Sequence, residues 1–131
     1  MIIKVETAQE MALIREGKTT SAVITDRARR TRPGNDLKFW IGDPRTKRRE
    51  QGAMQFASGK VSDVTDFEIR HSVQGMQKEG ALYISGYKLG HDDTFRVAVK
   101  LGFRNVREMF HHFNYEYTGR LVSWKEVTPA E

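Results

Sequence analysis

The chain has 131 residues, 38% of them hydrophobic, with 22 Lys and Arg against 17 Asp and Glu and no cysteine. Such a length predicts a single domain, 1–131, whose core stands without a staple, and the missing cysteines exclude a disulfide framework, a thiol nucleophile and a Cys-based zinc site. The opening Met1-Ile2-Ile3-Lys4-Val5-Glu6 is too short an apolar run for a signal peptide and no long apolar stretch follows, which predicts a soluble, cytoplasmic protein with no membrane association.

Thr7-Ala8-Gln9-Glu10 has capping-box spacing, so a short helix is expected from about Ala8 to Glu16, with Met11 and Ile14 facing inward and Gly17 as its stop. Arg32-Pro33-Gly34-Asn35 reads as a tight turn, with proline fixing φ at the second position and glycine supplying positive φ at the third. A strand should follow over Asp36–Ile41, with Leu37, Phe39 and Ile41 on one face and Lys38 and Trp40 on the other. Gly42 to Gly52 is a charged loop with nothing apolar to bury.

From Met54 to Arg70 the β-branched and aromatic residues predict one long strand, bent or broken near Gly59. His71 to Gly80 reads as a polar connection, and Ala81 to Leu89 as another strand. The periodicity then becomes helical. Asp92 or Asp93 is placed to cap a helix through Leu101, ended by Gly102, and Asn105 to cap a second helix to about Tyr115. On that helix Val106, Met109, Phe110 and Phe113 share a face with Tyr117. A final strand is expected over Arg120–Val127.

Charge is distributed unevenly. The 35 residues from Arg15 to Arg49 hold 11 of the 22 Lys and Arg residues against four acids, a net of +7, whereas the remainder carries 11 against 13. A basic segment on a mildly acidic body is what a phosphate-binding protein presents, although a solvated basic surface has the same composition.

The order of elements and several local sequences resemble the ASCH family, a branch of the PUA-like superfamily. The resemblance rests on Arg15-Glu16-Gly17-Lys18-Thr19-Thr20-Ser21, similar to the family's Gly-x-Lys-Thr-x-Thr pattern, and on Arg32-Pro33-Gly34-Asn35-Asp36 and Gly42-Asp43-Pro44-Arg45-Thr46. Towards the C-terminus it rests on Gly102-Phe103, Glu108-Met109-Phe110 and Gly119-Arg120-Leu121-Val122-Ser123-Trp124. It implies an α+β fold, a small mixed β-barrel with flanking helices, with the Gly-Lys-Thr segment in a cleft. It further implies RNA or a nucleotide-like ligand as partner. In hydrolase-like members a lysine and a threonine of the motif act with an acid from just before Gly-Phe. Lys18 and Ser21 match the first two, while Leu101 stands where the acid belongs and Val23 where an arginine often ends the motif. A register aligned on Gly17 places Thr19 at the lysine position instead.

The residues themselves favour binding over catalysis. Lys18, just past a helix C-terminus, is stabilised as a cation, whereas a nucleophilic lysine needs its charge suppressed and an acid or base in reach. Gly17-Lys18-Thr19 is no P-loop, because the helix precedes it. His111 and His112 point about 100° apart on a helix and make a poor metal pair. No motif implies a cofactor. Candidate nucleic-acid contacts are Lys18, Thr19, Thr20, Arg27, Arg29, Arg30, Arg32, Arg45, Lys47, Arg48 and Arg49, with Trp40 as a candidate stacking ring, although a large aromatic covered by a helix is the commoner outcome. Single-stranded or structured RNA suits these arginines better than duplex DNA read by a helix. The alternatives are a ribonuclease or an amidohydrolase on acylated nucleosides, centred on Lys18 and Ser21, and a protein-interaction module for an acidic partner.

Overall fold

The computed structural model describes residues 1–25, 29–42, 53–74 and 77–129. Among them the chain forms β1 (Ile2–Val5), α1 (Ala8–Arg15), β2 (Ser21–Ile24), β3 (Asp36–Ile41), β4 (Met54–Gln74), β5 (Gln77–Ile84), β6 (Tyr87–Lys88), α2 (His91–Lys100), α3 (Val106–His112) and β7 (Tyr117–Pro129). This is an α+β fold with one seven-stranded sheet and three helices.

The 21-residue β4 organises the sheet. Its first half pairs with β3, its second half with β5, and β7 runs antiparallel to both halves, from Ala57↔Pro129 to Ile69↔Tyr117. The bend expected near Gly59 is present as two register shifts between Gly59 and Asp63. Close packing requires glycine there, because a Cβ on Gly59 would lie 2.9 Å from the Glu126 carbonyl oxygen. The Arg32–Asn35 turn fills the irregularity, with the Gly34 N–H donating to the Val61 carbonyl at 2.8 Å and the Val61 N–H to the Asn35 carbonyl at 2.9 Å. Gly34 takes the positive φ, 91°, that this turn requires.

The core has two clusters. Ile3, Val5, Ile14, Leu37, Phe39, Phe56, Val61, Val122 and Trp124 form one cluster, on which α1 packs. Phe67, Ile69, Leu82 and Leu121 form the second with Ala98 of α2 and Met109 of α3. Leu121 and Val122 are adjacent on β7 and belong to different clusters, which puts the two cores on opposite faces of that strand.

Several expectations are corrected. The strand pairings among the described residues leave the sheet open rather than closed into a barrel: β1 pairs with β3 and β2 with β7, and β1 and β2 line one cleft instead of pairing with each other. Of the segment from His71 to Gly80, the described residues 71–74 and 77–80 are strand, not connection. β4 and β5 continue as a ladder to Gln74↔Gln77, because backbone pairing needs no apolar side chains, and the hairpin is anchored by His71 Nε2, 2.6 Å from the Phe113 carbonyl oxygen. The strand expected over Ala81–Leu89 is two strands about a Ser85-Gly86 turn, both with positive φ (52° and 84°). Gly90, not an aspartate, is the N-cap of α2, with the Thr94 hydroxyl donating to its carbonyl at 2.7 Å. α3 stops at His112, short of Tyr115, and β7 begins at Tyr117. The Gly42–Gly52 loop, apart from Gly42 itself, lies outside the described residues. No helix among the described residues is long and apolar enough to cross a membrane.

Candidate nucleotide-binding cleft

The Gly17–Ser21 segment is shaped by the end of α1. Gly17 adopts φ 76°, and the N–H groups of Lys18 and Thr19 both donate to the Leu13 carbonyl, which turns the chain off the helix. The chain then docks on the C-terminus of α2, where the Thr20 N–H donates to the Lys100 carbonyl at 2.9 Å. On the other side the Thr20 carbonyl accepts from the Trp124 N–H at 2.9 Å. Thr19 is thereby buried against Gly102, so close that a Cβ there would meet its Oγ1 at 2.9 Å.

A cleft of two lobes opens between α1, the α2–α3 connection and β1, β2 and β7, the inner lobe about 700 Å³. Its inner lobe takes in Lys4, Thr19 and Ser21. Its outer lobe, about 710 Å³, takes in Gln9, Lys18 and Arg104, and the two share Glu10, Leu13, Thr19, Gly102, Phe103 and Glu108. One wall of the inner lobe is a continuous series of rings. His112 lies 5.4 Å from Phe103 and 4.7 Å from Phe113, Phe113 lies 5.1 Å from Tyr117, and Tyr117 lies 6.1 Å from Tyr115.

Two carboxylates, Glu10 and Glu108, stand in this cleft, although Leu101 occupies the position at which the resemblance expects an acid. Glu108 lies one helical turn into α3 from the Asn105 cap, whose Oδ1 accepts its N–H at 2.8 Å, and its Oε2 accepts from Arg104 Nε at 3.0 Å. Glu10 is oriented by the Thr7 cap, whose hydroxyl donates to its Oε1 at 3.0 Å while accepting its N–H at 3.1 Å. Glu108 follows Gly102-Phe103 in sequence, whereas the resemblance places the acid before that pair.

The predicted site residues divide into groups. Lys18 lines the outer lobe, 69% exposed, with Nζ 3.2 Å from Glu16 Oε2. Ser21 lines the inner lobe, 2% exposed, its Oγ 2.9 Å from Ser123 Oγ. The two therefore do not line the same lobe, and of the Gly17–Ser21 segment it is Thr19 that lines both. Thr20 contributes backbone bonds. Arg29 lines a different cleft, over the second half of β4, and Arg30 is exposed. Arg32 belongs to the turn, its N–H donating to Asn35 Oδ1 at 2.6 Å. Trp40 is half-buried on β3 beside Lys4 of β1 and is not among the residues lining these clefts. Arg27, Arg45, Lys47, Arg48 and Arg49 lie outside the described residues.

Sequence reasoning missed Phe103, His112, Tyr115, Glu10 and Glu108. Tyr117 was assigned only to the core, whereas it also forms cleft wall. Among the described residues no three His, Cys, Asp or Glu side chains gather as a metal site would require. No family model, curated protein or solved structure matches the chain.

Proposed function

We propose that the chain binds RNA or a nucleotide-like ligand in the cleft between α1 and the α2–α3 pair. The observation that carries this reading is the ring series His112, Phe103, Phe113, Tyr117 and Tyr115 along a cleft that also presents the Thr19 hydroxyl. A flat heterocycle with polar edges suits such a site, because rings hold its face and hydroxyls or carboxylates meet its donors and acceptors. Lys18 and Arg104 at the outer lobe are placed for an attached phosphate. The chain's excess of Lys and Arg supplies the longer-range attraction.

On this reading the fold is a PUA-like module, opened at β1 and β2 where the ligand enters. The test is titration with single-stranded RNA at several salt concentrations. Affinity should fall steeply with salt, and replacing Arg45, Arg48 and Arg49 together should lower the slope by about 0.7 for each phosphate no longer neutralised. A slope unchanged by the triple substitution removes that loop from the footprint.

A hydrolase is the second reading, favoured by the two carboxylates beside Thr19. Glu108 or Glu10 would act as general base on a water, with Lys18 or Arg104 steadying developing negative charge. Incubation with RNA and with N-acylated cytidine tests it. Turnover lost in both Glu108→Gln and Glu10→Gln supports the hydrolase, and no turnover by the unaltered protein rejects it for these substrates.

A further inference from the structure

The second half of β4 turns a charged face away from α2 and α3. Across the strands the Cα partners run Thr118, Glu68, Tyr83 and Lys88, with Arg120 opposite Asp66 in the next row. Phe67, Ile69, Leu82 and Leu121, on the other face, meet the helices. A cleft of about 660 Å³ lies over this charged face, lined by residues that include Thr25, Arg29, Tyr83, Glu116, Tyr117 and Arg120.

This second cleft adjoins the first. Tyr117 lines both, and Ser21, Ala22 and Val23 of β2 line the first while Thr25, just past the end of β2, and Arg29 line the second. The guanidinium groups of Arg29 and Arg120 in this cleft, and of Arg70 next to its Glu68 and Tyr83, are held by carboxylates. Arg70 lies 2.8 Å from Glu68, Arg29 lies 3.6 Å from Asp66, and Arg120 lies 3.9 Å from the same Asp66 oxygen. Such pairs orient an arginine while leaving other N–H groups to meet phosphate. Arg70 also lies over the Tyr83 ring, 4.2 Å from its centroid, with its charged form reinforced by the Glu68 hydrogen bond and charge.

We propose that this second cleft continues the first and carries the nucleotides adjoining the one seated there, so that the ligand is a single-stranded oligonucleotide rather than a free nucleotide. The inference rests on the reading of the first cleft as a nucleotide site. The Arg70–Tyr83 stack offers a flat surface for a neighbouring base, and Arg29 offers a phosphate contact on the path between the clefts. Arg29 thereby gains a role, although it stands away from the Gly-Lys-Thr segment.

The experiment compares a mixed-sequence RNA oligomer about ten nucleotides long, within the site sizes of single-strand binders, with the four ribonucleoside monophosphates. Each is titrated into the unaltered protein, an Arg29→Glu/Tyr83→Ala variant and a Tyr115→Ala variant. The oligomer should bind at least about tenfold tighter than any monophosphate, and the double substitution should weaken the oligomer about tenfold or more while leaving monophosphate affinity unchanged. Should the double variant not fold, Arg29→Ala, at an exposed position, is expected to show the smaller part of the same loss. An oligomer no tighter than a monophosphate overturns the inference, as does an oligomer affinity indifferent to the second-cleft substitutions. Monophosphate binding lost in Tyr115→Ala would in either case leave the first cleft's reading intact. Polyglutamate displacing the oligomer with comparable affinity also overturns it, in favour of an acidic protein partner. Binding of neither oligomer nor monophosphate defeats the reading of the first cleft itself.

Discussion

Thr19 and Gly102 are in such close contact that a Cβ on the glycine would lie 2.9 Å from the Thr19 hydroxyl oxygen. Gly102 also has φ 94°, which side chains rarely adopt. Gly102→Ala should therefore destabilise the protein by about 1–3 kcal/mol, measured by denaturant or thermal unfolding. Because the same contact seats the Gly-Lys-Thr segment, ligand affinity should fall in a variant that still folds.

The Ser21 hydroxyl is buried and paired with Ser123 at 2.9 Å. Ser123→Ala leaves it without that partner, at a cost of about 1–3 kcal/mol, whereas removing both hydroxyls should cost less than the two single substitutions added together. A double-mutant cycle by chemical denaturation measures this coupling. Additive effects would mean that the pair contributes nothing, and would reopen Ser21 as a group free to act on a ligand.

Gly80 is covered by the Phe110 ring of α3, with a hypothetical Cβ 2.5 Å from its Cδ1. Gly80→Ala should push α3 off the β4–β5 hairpin and lower the melting temperature, and Phe110→Leu in the same chain should recover part of the loss. Thermal melts of the two single variants and the double variant check this.

Asn105 caps a helix of only seven residues that carries both Glu108 and His112 into the cleft. Asn105→Ala should cost about 1 kcal/mol of stability. If Glu108 or His112 touches ligand, the variant should also bind RNA more weakly while still folded, which titration well below its melting temperature reads directly.

Local signals in the sequence located much of this architecture. The Thr7 and Asn105 caps, the stops at Gly17 and Gly102, the Pro33-Gly34 turn and the alternation of Leu37 and Phe39 each rest on neighbouring residues. The bend near Gly59 was legible because glycine in a strand marks close approach, although its partner, the Glu126 carbonyl, lies far along the chain. The second half of the β4–β5 hairpin was not legible, since Ser72 and Glu79 pair through backbone hydrogen bonds and carry no apolar alternation. The cleft was half legible. Gly17 to Ser21 stood out by composition, but its aromatic wall comes from residues about eighty to a hundred positions later. Phe113 and Tyr117 have the spacing of ordinary core, and nothing in one sequence separates a ring that fills a core from one that lines a cavity.

Tyr115 offers the most direct measurement of the central claim. It is 56% exposed and lines the inner lobe, so Tyr115→Ala should leave the fold intact. The account predicts that the unaltered protein binds single-stranded RNA in a salt-dependent manner and that Tyr115→Ala raises Kd about tenfold, as the loss of one stacked base requires. No RNA or nucleotide binding, or a Kd unchanged by Tyr115→Ala, would contradict it.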